Sequence, residues 1–345
     1  MRLSQANQSE CDDGRTAIPT LGVLLPTRNS IALLREHLES MRPWLDLASE
    51  VVVVDSESTD GTVELLREKL AHPNARFFNH PPGLYQSWNF GIRNITAKYV
   101  YISTVGDSIT RSGVKCLLDA AERFQSDVVI SKPGVITESG QPLPDGHWPI
   151  HDILERLPFA QSAALSTGQQ FIFALTNIGG ALLGSSASNL YRAACLRARP
   201  FPVEFGTAGD GGWSFKYIFD IRVAVARGQF STFRIHEKSY SMSEYPAESL
   251  ALRFFRLAQE AARERQARDP LVAALLREIC WPELEQALQA ASIEHDRLER
   301  CRRGFFPWYF QPRAWQARAR RNRAESLTRR IKDGLIAGVI GKCSA

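Results

Sequence analysis

Asp55 is the residue around which the most chemistry could be organised. It follows four consecutive valines, Val51 to Val54, and opens the run Ser56-Glu57-Ser58-Thr59-Asp60-Gly61-Thr62. A buried strand thus hands one carboxylate straight into a turn of hydroxyls and acids, a composition that suits a nucleotide pocket. The plainer alternative is that Asp55 and Asp60 only cap and turn the chain. A second carboxylate, Asp107, follows the strand-like Tyr99 to Ser103, and a third, Asp210, is the only acid in the glycine-rich stretch Gly206 to Gly212. His236 ends a strand-like segment, Phe230 to Ile235. His147 and His151 are four apart, but Pro149 between them argues against a metal pair on one helix face.

Positioning these groups requires an alternation of strands and helices. Four valines in a row read as a strand covered on both faces, hence parallel and interior, and Asp60-Gly61-Thr62 reads as a turn into a helix. Upstream, Leu21 to Leu25 is a short apolar strand, and Ile31, Leu34, Leu38 and Met41 recur at helical spacing. Downstream, helices are expected over Thr62 to Leu70, Gln86 to Ile95 and Val114 to Phe124. Strands are expected over Arg76 to Phe78, Tyr99 to Ser103 and Asp127 to Ser131. This βαβ rhythm predicts a parallel sheet, with ligands bound outside the carboxyl ends of its strands, where Asp55 and Thr104 to Asp107 would share one edge. The Pro- and Gly-bearing connection from Lys132 to about Ser166 is irregular, and compact structure resumes over Phe171 to Arg197.

Three blocks, in order and spacing, resemble the signature of family 2 glycosyltransferases. They are Pro26-Thr27-Arg28-Asn29, Val54 to Thr62, and Trp88-Asn89-Phe90-Gly91-Ile92. The resemblance covers roughly residues 20 to 110, and more weakly extends to about 245. It implies a GT-A fold, a Rossmann-like α/β domain with a mostly parallel sheet flanked by helices, that transfers a sugar from a nucleotide diphosphate donor with inversion. It also implies roles. Pro26, Thr27 and Asn29 would floor the nucleotide pocket, Asp55 would accept from the base, and Ser58, Asn89 and Thr104 would complete the donor site. A carboxylate accepting from a base N–H gives orientation as well as energy.

The metal motif departs from the family's Asp-x-Asp. Here the sequence is Ser103-Thr104-Val105-Gly106-Asp107, so Mg²⁺ or Mn²⁺ would have Asp107, with His236 after the last strand as a second candidate beside the diphosphate. Asp210 resembles the family's acceptor-site acid and would serve as general base, with Gly209 standing where another acid is usual. Its glycines would let backbone approach a ligand, and Trp213 would stack on a sugar or support the loop. The reduced metal motif leaves a non-catalytic sugar-nucleotide or glycan-binding protein as the alternative. A nucleotidyltransferase leaves the Trp88 block unexplained.

Composition sets the remaining bounds. A chain of 345 residues with 44% hydrophobic content can bury a full core. Six scattered cysteines without a C-x-x-C pair fit reduced thiols and a cytoplasmic setting. No long apolar run and no leader-like N-terminus is expected to act as a membrane span or secretion signal. The net charge is +5, yet residues 302 to 332 alone hold nine Arg and one Lys against one Glu, which leaves the rest of the chain acidic. With Phe305 to Phe310 ahead of it, this basic tail has the composition of an interfacial segment that could meet an anionic membrane surface on its cytoplasmic side; a solvated basic helix is the rival, and no nucleic-acid motif accompanies the charge. The domain expectation is a flexible segment over 1 to 17, a catalytic domain over 18 to 248, and a helical, basic extension over 249 to 345. That extension begins with Leu250, Phe254, Leu257 and Ala261 at helical spacing.

Overall fold

A computed structural model of the chain describes residues 20–143, 150, 154, 159–177, 181–235, 247–276 and 286. Four parallel strands form one half of a nine-stranded sheet: β1 (Leu21–Thr27), β2 (Glu50–Asp55), β3 (Ala75–Asn79) and β4 (Tyr99–Ile102), in the order β3-β2-β1-β4. The other half is mixed. It contains β5 (Ser108–Ile109), β6 (Val128–Ile136), β7 (Ser162–Ala164), β8 (Asn189–Arg192) and β9 (Val223–Arg234). β8 runs antiparallel to β4 and β6, β9 is parallel to β6, and β5 and β7 run antiparallel to β9.

The valine strand behaves as its composition demands. Every residue of β2 is buried, and alternate side chains enter opposite cores. Val52 and Val54 join Leu24, Trp88 and Ile92, while Val51 and Val53 join Leu34, Met41 and Leu65. Each such side chain contributes roughly 1.5–3 kcal/mol relative to exposure, which fixes the register and so the exit point of Asp55. The covering helices are α1 (Ile31–Met41) and α2 (Thr62–Lys69) on one face and α3 (Leu84–Asn94) on the other. Pro26 fits within β1 because the Leu24 carbonyl is the last to receive a bond from the β4 side, from Ser103 N at 2.8 Å. Two residues later, where proline points the same way, β4 has already turned away.

Gly91 lets α3 lie directly on the sheet. A Cβ there would stand 2.3 Å from Leu24 Cδ1 and 3.0 Å from Val54 Cγ2. Gly91→Ala gains about 1 kcal/mol of helix propensity, but overpacking costs about 1–3 kcal/mol. A net loss of up to about 2 kcal/mol is expected in urea unfolding. An unchanged midpoint would mean the helix simply lifts away.

Three differences from the sequence reading have physical causes. The glycine-rich stretch is not a loop: a 3₁₀ turn over Val203–Ala208 leads into a helix, Gly209–Tyr217. The last strand starts at Val223, well before Phe230, because Val223 to Ala226 are buried against β6. The helix Ala247–Gln266 belongs to the body rather than to an appendage. Its Phe255, Ala258 and Ala262 are fully buried, and Phe254 stacks on Phe215 (5.1 Å) and Phe205 (5.8 Å). Among the described residues the remaining α-helices are Arg111–Phe124, Thr167–Thr176, Ala193–Ala198 and Pro270–Leu276. Among the described residues no helix is long and apolar enough to cross a membrane.

Candidate active site

β1 and β2 end in register, Thr27 opposite Asp55, so their outgoing loops meet. The Asp55 carboxylate is the knot. One oxygen accepts from the Thr27 hydroxyl (2.8 Å) and the Ser58 hydroxyl (2.6 Å), and the other accepts from the Ser58 N–H (2.8 Å). Ser58 in turn takes the Asn29 N–H (2.8 Å), and the Asn29 side-chain oxygen takes the Thr59 N–H (2.9 Å). Two non-glycine residues here, Asn29 (φ 46°) and Glu57 (φ 57°), adopt the left-handed conformation, which costs energy that the network offsets. A carboxylate offers about four acceptor positions, so three bonds leave room for one more donor. Asp60 is a capping residue. It accepts from Ile31 N (3.0 Å) at the start of α1 and from Thr62 N (3.1 Å) at the start of α2.

The segment Ser103 to Asp107 leaves the carboxyl end of β4, next to β1, on the same edge. It closes a turn by Asp107 N–H donating to Thr104 O (3.1 Å), with Gly106 at φ 100° supplying the left-handed position. Thr104 and Ser186 hydroxyls pair at 3.1 Å. β5 pairs with β9 immediately beyond, Ser108 opposite Thr232, which brings Arg234 alongside the turn. The Arg234 N–H donates to the Asp107 carboxyl (3.0 Å), and its guanidinium donates to Gly106 O (3.2 Å), Glu138 O (2.8 Å) and the Glu36 carboxylate.

Beneath the turn, His37 of α1 spans it. Its Nδ1 lies 3.0 Å from the Asp107 carbonyl and its Nε2 3.0 Å from the Ser103 hydroxyl. A carbonyl oxygen only accepts, so Nδ1 carries the proton and Nε2 accepts from Ser103. Burial pushes His37 down to about 4, against the raising effect of the bond to Asp107. Burial also pushes the Asp107 carboxyl up to about 7, against the lowering effect of the Arg234 N–H and charge.

Asp210 sits in the first turn of the Gly209–Tyr217 helix and lines a small cavity with Leu182, Tyr191 and Trp213. Burial raises its carboxyl above the ordinary range. The Tyr85 hydroxyl, which stands 3.3 Å from Thr207 O, and the Gly211 N–H (2.7 Å) oppose that rise. The neighbouring glycines serve aromatic packing. A Cβ on Gly209 would lie 2.5 Å from the Tyr85 ring, one on Gly211 2.7 Å from Phe254, and one on Gly212 2.9 Å from Phe205. A second acid at 209 therefore has no space. Trp213 is buried with its Nε1–H donating to Arg199 O (2.6 Å), so it supports the helix rather than offering a face to a sugar.

The structure thus gathers Pro26, Thr27, Asn29, Asp55 and Ser58 at one strand exit and Thr104 and Asp107 at the adjacent one. Asn89 stands apart: its amide donates to Phe201 O (2.8 Å) and accepts from Phe201 N (2.9 Å), so it brackets that segment. His236, His147 and His151, together with the 302 to 332 tail, lie outside the described residues. Sequence reasoning missed His37, Arg234 and Tyr85. His37 had a signal, since Leu34, His37 and Met41 make the buried face of α1. Among the described residues no group of three His, Cys, Asp or Glu could hold a metal ion.

The parallel α/β half gathers hydroxyls, the buried Asp55 carboxylate and the Ser103–Asp107 turn on the carboxyl edge of its strands, the edge on which open α/β sheets take their ligands. Residues 22–175 match the family described as glycosyl transferase family 2, and the fold is that of the GT-A glycosyltransferases. Among solved structures, Staphylococcus aureus TarS residues 1–349 in complex with UDP-GlcNAc align over 92% of both chains at TM-score 0.53 and 16% identity. S. aureus TarS aligns over 91% of this chain and 55% of its own, at TM-score 0.51 and 17% identity. No curated protein matches the sequence.

Proposed function

We propose that this chain is an inverting glycosyltransferase that moves a sugar, a hexosyl unit or a relative of one, from a nucleotide diphosphate to a saccharide, lipid-linked or protein acceptor, as in polysaccharide biosynthesis. The observation that carries the reading is the Asp55 network, which lies within the segment matched to the family and keeps acceptor capacity for a base N–H. Thr27 and Ser58 hold that carboxylate in place, Asn29 braces Ser58, Pro26 floors the pocket, and Thr104 and Asp107 flank the diphosphate. Asp210 takes the acceptor hydroxyl proton as that oxygen attacks the anomeric carbon. The bond to the diphosphate breaks, the nucleoside diphosphate departs with its electron pair, and the configuration inverts.

Mg²⁺ or Mn²⁺ would suit a departing diphosphate, but the described residues do not assemble its site. Asp107 is a lone buried carboxyl with one oxygen committed to the Arg234 N–H. That reduced set is also the observation favouring the second reading, a donor-binding protein without transfer activity.

Calorimetric titration with UDP-, GDP- and dTDP-sugars tests the donor site, UDP first because TarS 1–349 was solved with UDP-GlcNAc. One donor class is expected to bind. Asp55→Asn should weaken it by at least about 10-fold, since bonds to a charged group are worth roughly 1.5–3 kcal/mol and an amide cannot accept at both oxygens. Equal affinity in a folded Asp55→Asn protein would remove Asp55 from the base contact. The tail over 302 to 332 is proposed to hold the protein peripherally on an anionic, cytoplasmic membrane face. Flotation with anionic liposomes, with and without residues 302 to 345, decides that point, and equal recovery removes it.

A further inference from the structure

We infer that His37 and Arg234 are positioning residues that preset the Ser103–Asp107 turn for the donor, a role that rests on the donor-binding reading above. A turn at the edge of a sheet has few regular partners for its backbone groups, and those that are buried must find one. Here they come from far along the chain. His37 reaches both ends of the turn, the Ser103 hydroxyl and the Asp107 carbonyl, across 66 and 70 residues of sequence. Arg234 reaches the Gly106 carbonyl and the Asp107 carboxyl across more than 120 residues.

The two devices are coupled through α1. Glu36, next to His37, receives the Arg234 guanidinium, so one helical turn delivers both supports. His37 and Arg234 are both buried, at 3% and 7% exposure, so solvent cannot replace a lost bond. With its Nδ1–H on the Asp107 carbonyl, the neutral ring accepts from the Ser103 hydroxyl at Nε2, so one side chain closes both ends of the turn. The turn is therefore fixed before a donor arrives, which spares the binding step its ordering cost.

Three variants of the full chain test this. His37→Asn retains a donor for the Asp107 carbonyl but cannot reach Ser103, His37→Phe keeps the ring volume and loses both bonds, and Ser103→Ala removes only the hydroxyl. Two quantities are read: amide exchange of peptides covering 103 to 107 against peptides from β2, and the affinity for whichever nucleotide sugar the wild type binds. Exchange in the turn should accelerate at least 10-fold in His37→Phe and less in the other two, with β2 unchanged, and donor affinity should fall about 10-fold. A merely structural histidine would lower the melting temperature and leave the folded protein's donor affinity alone. Unchanged exchange in the turn, or faster exchange with full affinity, overturns the inference. Should His37→Phe fail to fold, Ser103→Ala and His37→Asn still decide it. A wild type that binds no nucleotide sugar overturns the donor reading itself, whatever the exchange rates show.

Discussion

Asp210→Asn is expected to lower the rate of sugar transfer by about 10³, within the 10²–10⁴ that a positioned general base contributes, while leaving donor affinity within twofold of wild type. The asymmetry comes from what the substitution preserves. Asparagine has the same shape, and its oxygen can still accept the Gly211 N–H at the helix start. Asparagine is not a base, however, and burial, by raising the Asp210 carboxyl above its ordinary value, makes it a stronger proton acceptor than an exposed aspartate. Burial raises it, and the Tyr85 hydroxyl tempers the rise, so Tyr85→Phe should push the Asp210 titration higher and shift the acidic limb of the rate profile upward in pH. Transfer by Asp210→Asn at more than a tenth of the wild-type rate would move the base elsewhere. Donor binding without transfer in the wild type would favour the non-catalytic reading.

The parts of this protein that were legible in its sequence are those set by local periodicity. Four valines followed by Asp55 specify a strand covered on both faces, and alternation sends Val51 and Val53 to one core and Val52 and Val54 to the other. Ile31, Leu34, Leu38 and Met41 specify α1 at both of its ends, Ile31–Met41. The meeting of Asn29, Asp55 and Ser58 follows from strand order, because parallel neighbours in register must release their loops side by side.

What could not be read depends on contacts between distant segments. Gly209, Gly211 and Gly212 have the composition of a loop, yet each is required by a ring that arrives from elsewhere: Tyr85, Phe254 and Phe205. A glycine that admits an aromatic ring and one that admits a ligand are the same letter. Asn89 illustrates the converse, since its place in a motif says nothing of Phe201, 112 residues away, to which its amide is bound. The packing of the Ala247–Gln266 helix against Phe205 and Phe215 was hidden for a related reason. An amphipathic helix reports that one face will be covered, not that the catalytic body itself will cover it.

His37 and Asp107 should titrate against each other in the stability of the unliganded protein, and this is the second large effect. His37 has an ordinary value of 6.5 and is held at about 4 when folded. Between those pH values the unfolded chain binds a proton that the native state refuses, so its contribution is full above pH 6.5 and is lost as pH falls toward 4. At 1.36 kcal/mol per unit this amounts to about 3 kcal/mol. Asp107 runs the other way. Its carboxyl moves from 3.8 to about 7, so the native state keeps a proton that the unfolded chain releases, and stability is lost as pH rises from about 4 to 7, by about 4 kcal/mol. The two slopes nearly cancel in the wild type, and each substitution exposes the other group. Relative to wild type, Asp107→Asn should gain stability steadily from pH 4 to 7, whereas His37→Gln should lose it from pH 4 to 6.5. Urea midpoints at half-unit pH intervals measure both, and every other ionisable group drops out of the differences. Curves parallel to wild type would mean that neither group is desolvated in the folded state. The turn they jointly hold would then be open to water, and the case for its preset geometry would go with it.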